Sequence, residues 1–337
     1  VPLLQKNRKR QTTTSKQPLA GCFPAIYRLP GNEEGLRMKD PFSFQELSFY
    51  EQKKYAMKKI IVFTYPFDKI EEIVDYSLHF ARDLTLPVEF INVIEEPSVA
   101  PDPLIGGSIP PIEPQFETIP EELVGNRKRV LQKVLSIKNA SMEIPVSYSY
   151  KVLTGTFYQL FTELTGRNDI QLVLVPNTGN SGSSDLITDM VEIIKQPVYS
   201  FPLGHNYHPI RKIVYATDYN PKDTATLKKT ALLAQKLMAK LTVLHVCRNK
   251  KDSYSEELKN EGLQEKLNRL PHLQDVEVTD TQSSKIVKGI KAFSQRNYAD
   301  LIVMLKENKS ALAELFGKST TKDLLQESPL PILIYNE

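Results

Sequence analysis

From Met57 onward the apolar and polar positions follow a pattern that runs twice along the chain. Each run opens on a short apolar, β-prone block without clean alternation, Ile60–Phe63 and then Ile213–Ala216. A parallel strand buried on both faces reads this way. A helical stripe follows. Ile70, Ile73, Val74, Ser77, Ala81 and Leu84 share one face in the first run, and Leu227, Ala231, Ala234 and Met238 do so in the second. A second strand is expected at Val88–Val93 and at Leu241–Val246. Helices are then predicted over 121–137 and 255–270. Third strands follow, alternating clearly at Val146, Tyr148, Tyr150 and Val152 but brief at Val276–Thr279. Another amphipathic helix carries Phe157, Leu160, Phe161 and Leu164, or Ile286, Ile290 and Phe293. The fourth strands, Leu172–Val175 and Leu301–Met304, are almost wholly apolar. Each run closes on a Pro-led strand, "QPVYSF" or "LPILIY".

The two runs are copies of one unit. "KIIVFT" at Lys59–Thr64 returns as "KIVYAT" at Lys212–Thr217, 153 positions later, and the register holds without a gap to Val93 and Val246. Only 7 of those 35 pairs are identical, so the shared apolar pattern carries the argument. The order β-α-β-α-β-α-β-α-β, twice, predicts an α/β protein of two tandem doubly wound five-stranded parallel sheets. The domains are expected at 57–204 and 209–337. Ligands of such sheets bind beyond the carboxyl ends of the strands, here between strands 1 and 4 of each copy. The closing strands, Val198–Phe201 and Ile332–Tyr335, are apolar edges. Pairing them would make an intramolecular pseudo-dimer and hide exposed backbone groups. A homodimer is a further option.

Residues 1–56 keep no period and hold 10 Lys and Arg against 5 Asp and Glu. They read as a disordered or mis-annotated leader, with Met57 as the expected start. The whole chain of 337 residues is near neutral, at +3. Its folded part therefore offers no broad attraction for nucleic acid, and a nucleic-acid-binding role through the basic leader ranks last. The longest apolar runs, such as Leu301–Leu305, are far short of a bilayer span, so no membrane partner is expected. Two distant cysteines, Cys22 and Cys247, give neither a disulfide framework nor a thiolate zinc site, and a cytoplasmic location is the simplest.

At "KIVYATDYN" (Lys212–Asn220), "LTVLHV" (Leu241–Val246), "YADLIVML" (Tyr298–Leu305) and "ESPLPILIY" (Glu327–Tyr335) the second copy resembles the universal stress protein family. The first copy is similar in weaker form at "KIIVFTYPF", "VEFINV", "IQLVLVPNTG" and "KQPVYSF". The resemblance implies the adenine nucleotide alpha hydrolase-like fold, with strand order 3-2-1-4-5. It also implies a stress-response role and, in some members, ATP at the carboxyl ends of strands 1 and 4. Binding members carry Thr-Asp after strand 1 and G-x-x-G-x9-G-[ST] after strand 4. The glycines let backbone N–H groups approach phosphates at a helix N-terminus.

Both copies depart from that pattern. The second keeps Thr217 and Asp218, but Leu305, Asn308 and Lys318 stand at the three glycine positions, followed by Ser319 and Thr320. Thr217, Asp218, Val246, Ser319 and Thr320 are the nucleotide-binding candidates that the resemblance leaves. Lys306, Lys309 and Lys318 could supply point charges to a phosphate or simply form a solvated loop. The first copy has Tyr65 and Pro66 after strand 1, Pro176 and Gly179 at the first two glycine positions, and Ser184 and Asp185 at the last pair, where Asp185 would repel phosphate.

Other motifs are decoys. "GKS" at Gly317–Ser319 has Leu312 where a Walker A loop needs glycine. His205 and His208 fall in the linker "GHNYHP", where a turn suits them better than a metal. His245 ends a strand opposite Asn92 of the first copy, which favours a structural polar contact. No nucleophile, metal or paired-carboxylate constellation supports catalysis. The expectation is a noncatalytic stress-response or regulatory binding module with degenerate nucleotide sites and no required cofactor. ATP or AMP in the second copy is the alternative.

Overall fold

Every apolar block read above becomes a strand of one ten-stranded sheet in the computed structural model. The structure describes residues 58–95, 119–220, 222–248, 253–270, 273–274, 276–306 and 318–336. The leader lies outside the described residues, as does most of the Pro-rich loop after the second strand.

The first half runs β1 (Lys59–Phe63), α1 (Ile70–Leu84), β2 (Val88–Glu95), α2 (Glu121–Ala140), β3 (Tyr148–Gly155), α3 (Phe157–Thr165), β4 (Ile170–Asn177), α4 (Ser181–Ile193) and β5 (Val198–Pro202). The second half repeats this as β6 (Lys212–Thr217), α5 (Asp223–Leu237), β7 (Lys240–Cys247), α6 (Ser253–Asn268), β8 (Glu277–Gln282), α7 (Ile286–Arg296), β9 (Leu301–Lys306), α8 (Lys318–Glu327) and β10 (Ile332–Asn336). The strand order is β3-β2-β1-β4-β5-β10-β9-β6-β7-β8, so each half has the order 3-2-1-4-5. All neighbours run parallel except β5 and β10, which join the halves antiparallel. The third strand of the second half is longer than its apolar residues suggested. Its last four residues, Thr279–Gln282, are polar and paired to β7, since an edge strand needs only one buried flank.

Alternate strand residues sort onto two apolar layers that cross from one half to the other. Ile60, Val62, Leu172, Tyr199, Tyr215 and Val303 face α1, α2 and α5. Ile61, Phe63, Val173, Val198, Val214 and Ile302 face α3, α4, α7 and α8. The repeat extends to local detail. α1 ends on Thr85 and α5 on Met238, 153 positions apart, and both take a left-handed conformation (φ 48° and 53°) to satisfy the last carbonyls of the helix.

One edge of the sheet is held by charge. Glu89 on β2 is 2% exposed and receives Lys59, Lys151 and Arg167 at 2.8–2.9 Å. Arg167 and Lys59 also reach Asp169, at 3.0 and 3.2 Å. Burial alone would raise the Glu89 carboxyl, but its three cations outweigh it and hold the group down at about 2. On the opposite layer α7 approaches β7 closely at Gly289. A Cβ there would sit 2.6 Å from Val246 Cγ1 and 2.9 Å from Ser283 Cβ.

Two measurements check this packing. Gly289→Ala should lower stability by about 1 kcal/mol in denaturant titration, because steric strain at a stiff β-branched neighbour outweighs the helix-propensity gain of roughly 1 kcal/mol. Gly262→Ala, in α6 with open space around the new methyl, should instead raise it. The Glu89 pairing stabilises only while the carboxylate is ionised. Its contribution is complete above about pH 4.5 and lost as pH falls toward 2, so the stability gap between wild type and Glu89→Gln should close across that window.

Candidate functional site

The carboxyl ends of β6 and β9 lie side by side, which is the switch point of the second half. β6 delivers Tyr215 and Thr217 there, and the first turn of α5 delivers Asp223. Asp223 is 2% exposed. The Tyr215 hydroxyl donates to its Oδ1 at 2.6 Å, and the Thr217 hydroxyl donates to its Oδ2 at 2.5 Å. Burial pushes the Asp223 carboxyl up to about 6. The two hydroxyls oppose that rise, and the nearby Asp218 adds to it.

Tyr219 closes over this cluster. Its backbone is left-handed at φ 65°, and its N–H donates to Thr217 Oγ1 at 2.8 Å. Its ring lies 4.3 Å from that of His245. Its hydroxyl donates to Asp280 Oδ1 on β8 at 2.5 Å, and Asn260 of α6 donates to Asp280 Oδ2 at 2.7 Å. The Tyr219 side chain thus spans the ends of β6, β7 and β8. Asp218 turns back on its own loop, where its Oδ1 accepts the Asn220 N–H at 3.1 Å.

His245 Nδ1 is hydrogen-bonded to the Thr217 carbonyl oxygen at 2.9 Å. In the first half Asn92 Nδ2 donates to the Thr64 carbonyl at 2.9 Å, the same contact at the same position of the repeat. The structural role expected of His245 is therefore the one observed.

The remaining candidates are spread along the same sheet end. Val246 on β7 is buried and packed on Gly289. Ser319 and Thr320 lie in the first turn of α8, Ser319 exposed and Thr320 buried. Asn308, Lys309 and the Lys318 side chain lie outside the described residues. Lys306 is neither a phosphate arm on a loop nor a solvated lysine. It is the last residue of β9, buried, with Nζ 3.6 Å from Glu192 Oε1 on α4 of the other half.

The switch point of the first half is built from its own polar groups and from α8 of the second half. The Ser183 hydroxyl and the Gly179 N–H both donate to Asn177 Oδ1, at 2.7 and 2.9 Å, while Asn177 Nδ2 donates to the Leu325 carbonyl of α8 at 2.8 Å. Asn180 caps α4 by accepting the Ser183 N–H at 2.8 Å, so the helix N-terminus that would meet an anion already holds a side-chain acceptor. Ser184 is buried against α4's own first turn. Asp185 does not face a phosphate position, because it pairs with Lys322 of α8 at 2.5 Å.

Asp223, Tyr219 and Asp280 escaped the sequence reading. The repeat held the signal for one of them. At the 153-residue offset Tyr215 and Asp223 replace Val62 and Ile70, an apolar pair exchanged for a polar pair. Among the described residues no group of three or more His, Cys, Asp or Glu could hold a metal ion, and no helix is long and apolar enough to cross a membrane.

Residues 209–336 match the model of the Universal stress protein family. Among solved structures, the chain is similar to a universal stress protein of Archaeoglobus fulgidus at 13% identity. That alignment covers 84% of this chain and 98% of that one with a TM-score of 0.58. A functionally unknown protein of Pseudomonas aeruginosa aligns at 11% identity over 85% and 94%, with a TM-score of 0.50. At these identities the likeness is one of fold. No curated protein matches the chain.

The Asp223 cluster has a pH signature. An acid raised from its ordinary 3.8 to about 6 is uncharged in the fold where the unfolded chain has already ionised. Wild-type stability should therefore fall as pH rises from about 4 to about 6 and then level off, by on the order of 2–3 kcal/mol. Asp223→Asn should be flat across that range in pH-resolved denaturant titrations.

Proposed function

Taking as premise that residues 209–336 belong to the universal stress protein family, we propose that this chain is a noncatalytic stress-response or regulatory binding module. Its two halves act as an intramolecular pseudo-dimer in the cytoplasm, and its nucleotide sites are degenerate. The observation that carries this reading is that key polar groups at both switch points are already engaged within the chain. The Thr217 hydroxyl is held by Asp223, Tyr219 crosses the strand ends, Lys306 turns toward Glu192, and Asn180 occupies the N-terminus of α4. A triphosphate entering either half would have to break these bonds before gaining its own, and in the second half it would also meet side chains where backbone approach is needed.

A second reading, an adenine-nucleotide binder using the second half, is favoured by one feature. Asp218 stands at the end of β6 with Ser319 exposed in the first turn of α8, at the end of the neighbouring strand β9. Calorimetry of the full chain with ATP and Mg²⁺ separates the two. No heat at millimolar nucleotide, with no nucleotide released on denaturation of purified protein, is the expected result. Micromolar binding abolished by Asp218→Ala would replace the degenerate-site reading with the nucleotide-binding one.

A further inference from the structure

The antiparallel junction has a pseudo-two-fold axis. Tyr199 and Leu333, equivalent positions of β5 and β10, pair with each other, while Ile332 pairs with Ser200 and Ile334 with Val198. A two-fold interface presents every local environment twice. One of these environments is filled by the chain itself. The segment after β5 seats Tyr207 on α1, where its ring meets Tyr76 at 5.2 Å, Phe80 at 6.2 Å and His79 at 6.3 Å. Its hydroxyl donates to Asp83 at 2.7 Å. Tyr76 in turn stacks on Phe201 of β5 at 4.1 Å.

The equivalent seat on the other side of the axis lies on α5. At the 153-residue offset Tyr76, His79, Phe80 and Asp83 become Lys229, Leu232, Leu233 and Lys236. All four line a cavity of about 520 Å³ between α5, the end of β10 and the first half, and no described residue takes the place of Tyr207 in it. Its floor includes Leu172, Leu333 and Tyr335, and Lys229 lies over the Tyr335 ring at 5.9 Å, as Tyr76 lies over Phe201. Leu232 is 56% exposed. Lys58, Lys195, Lys229 and Lys236 are exposed on the rim, without a carboxylate partner among the described residues. Arg167, also on the lining, is already engaged by Glu89 and Asp169. An acid that receives a hydroxyl on one side of the axis has thus become a lysine on the other, in a cleft of ligand size whose lining mixes apolar side chains with cationic and amide ones.

We propose that this cavity is a binding site for a small aromatic anion, an aryl carboxylate, sulfonate or phosphate. Its ring takes the place that Tyr207 holds in the first half, and its charge meets Lys229 and Lys236. The site lies at the junction of the halves, shares no lining residue with the polar clusters of either switch point, and does not depend on the state of the nucleotide sites.

Anilinonaphthalene sulfonate, an aromatic anion, is the probe for the full chain, with uncharged phenylnaphthylamine as its neutral counterpart. Titration by fluorescence and calorimetry should give one site per chain, at least tenfold tighter for the sulfonate. The double variant Lys229→Glu/Lys236→Glu should weaken it at least tenfold, and Leu232→Ala severalfold, with circular dichroism unchanged. Lys128→Glu/Lys259→Glu, on exposed positions of α2 and α6, should leave it within twofold. Equal binding of the neutral probe, no binding at millimolar sulfonate, or equal weakening by the two double variants would overturn the proposal.

Discussion

The antiparallel pairing of β5 with β10 is the constraint on which the rest of the molecule depends. Each half alone would end on a strand whose outer backbone groups face water and whose side chains are apolar, an edge prone to pairing. Joining the two edges satisfies those groups and makes both apolar layers continuous across the junction. The surrounding contacts follow from it. The Tyr76 and Tyr199 hydroxyls share a buried hydrogen bond of 2.9 Å, and Lys322 reaches Asp185. Asn177 and Asn336, each at a strand end of its half, donate to carbonyls of the other half. The two repeats are thus joined edge to edge inside one chain, with no loss of translational freedom on association.

Duplication also relaxes symmetry, since each half can change without its twin. At the first switch point Val62 and Ile70 form ordinary core. At the second the same positions carry Tyr215 and Asp223, with Thr217 completing the set. A carboxyl in that setting is costly to ionise, and two donated hydrogen bonds only partly compensate. The Asp223 carboxyl is held by hydroxyls of its own half. In the first half Asn177, Asn180 and Ser183 bond one another and the neighbouring backbone, partly across the junction.

The clefts flanking the axis diverge in the same way. The connection from β5 to β6 must pass one of them, and Tyr207 fills it at no cost in extra chain. Among the described residues none crosses the twin cleft, and three residues of its helix face differ in character: aromatic to cationic, acidic to cationic, histidine to leucine. Changes of character at three of four equivalent positions on one helix face describe a different environment rather than drift at a single site.

The sequence alone determined the architecture. Apolar strand blocks such as Ile60–Phe63 and Leu301–Met304, helical stripes and a 153-residue repeat are local or periodic signals, and hydrophobic burial acts on them in the same way wherever they stand. They placed the strands and helices, while the order 3-2-1-4-5 came from the family resemblance of the motifs, clearest in the second half. The weakly apolar β8 was read short, because pairing with β7 rather than burial defines its length. What only the tertiary structure decided is which polar side chains meet. That Asp223 binds Tyr215 and Thr217, that Lys306 turns to Glu192 and Asp185 to Lys322, and that Tyr219 reaches Asp280 all depend on contacts between segments far apart or on a single left-handed residue. Hydrogen bonds and ion pairs are directional and short-ranged, so no period in the chain announces them. The fold places the atoms, and only then does the chemistry of the site exist.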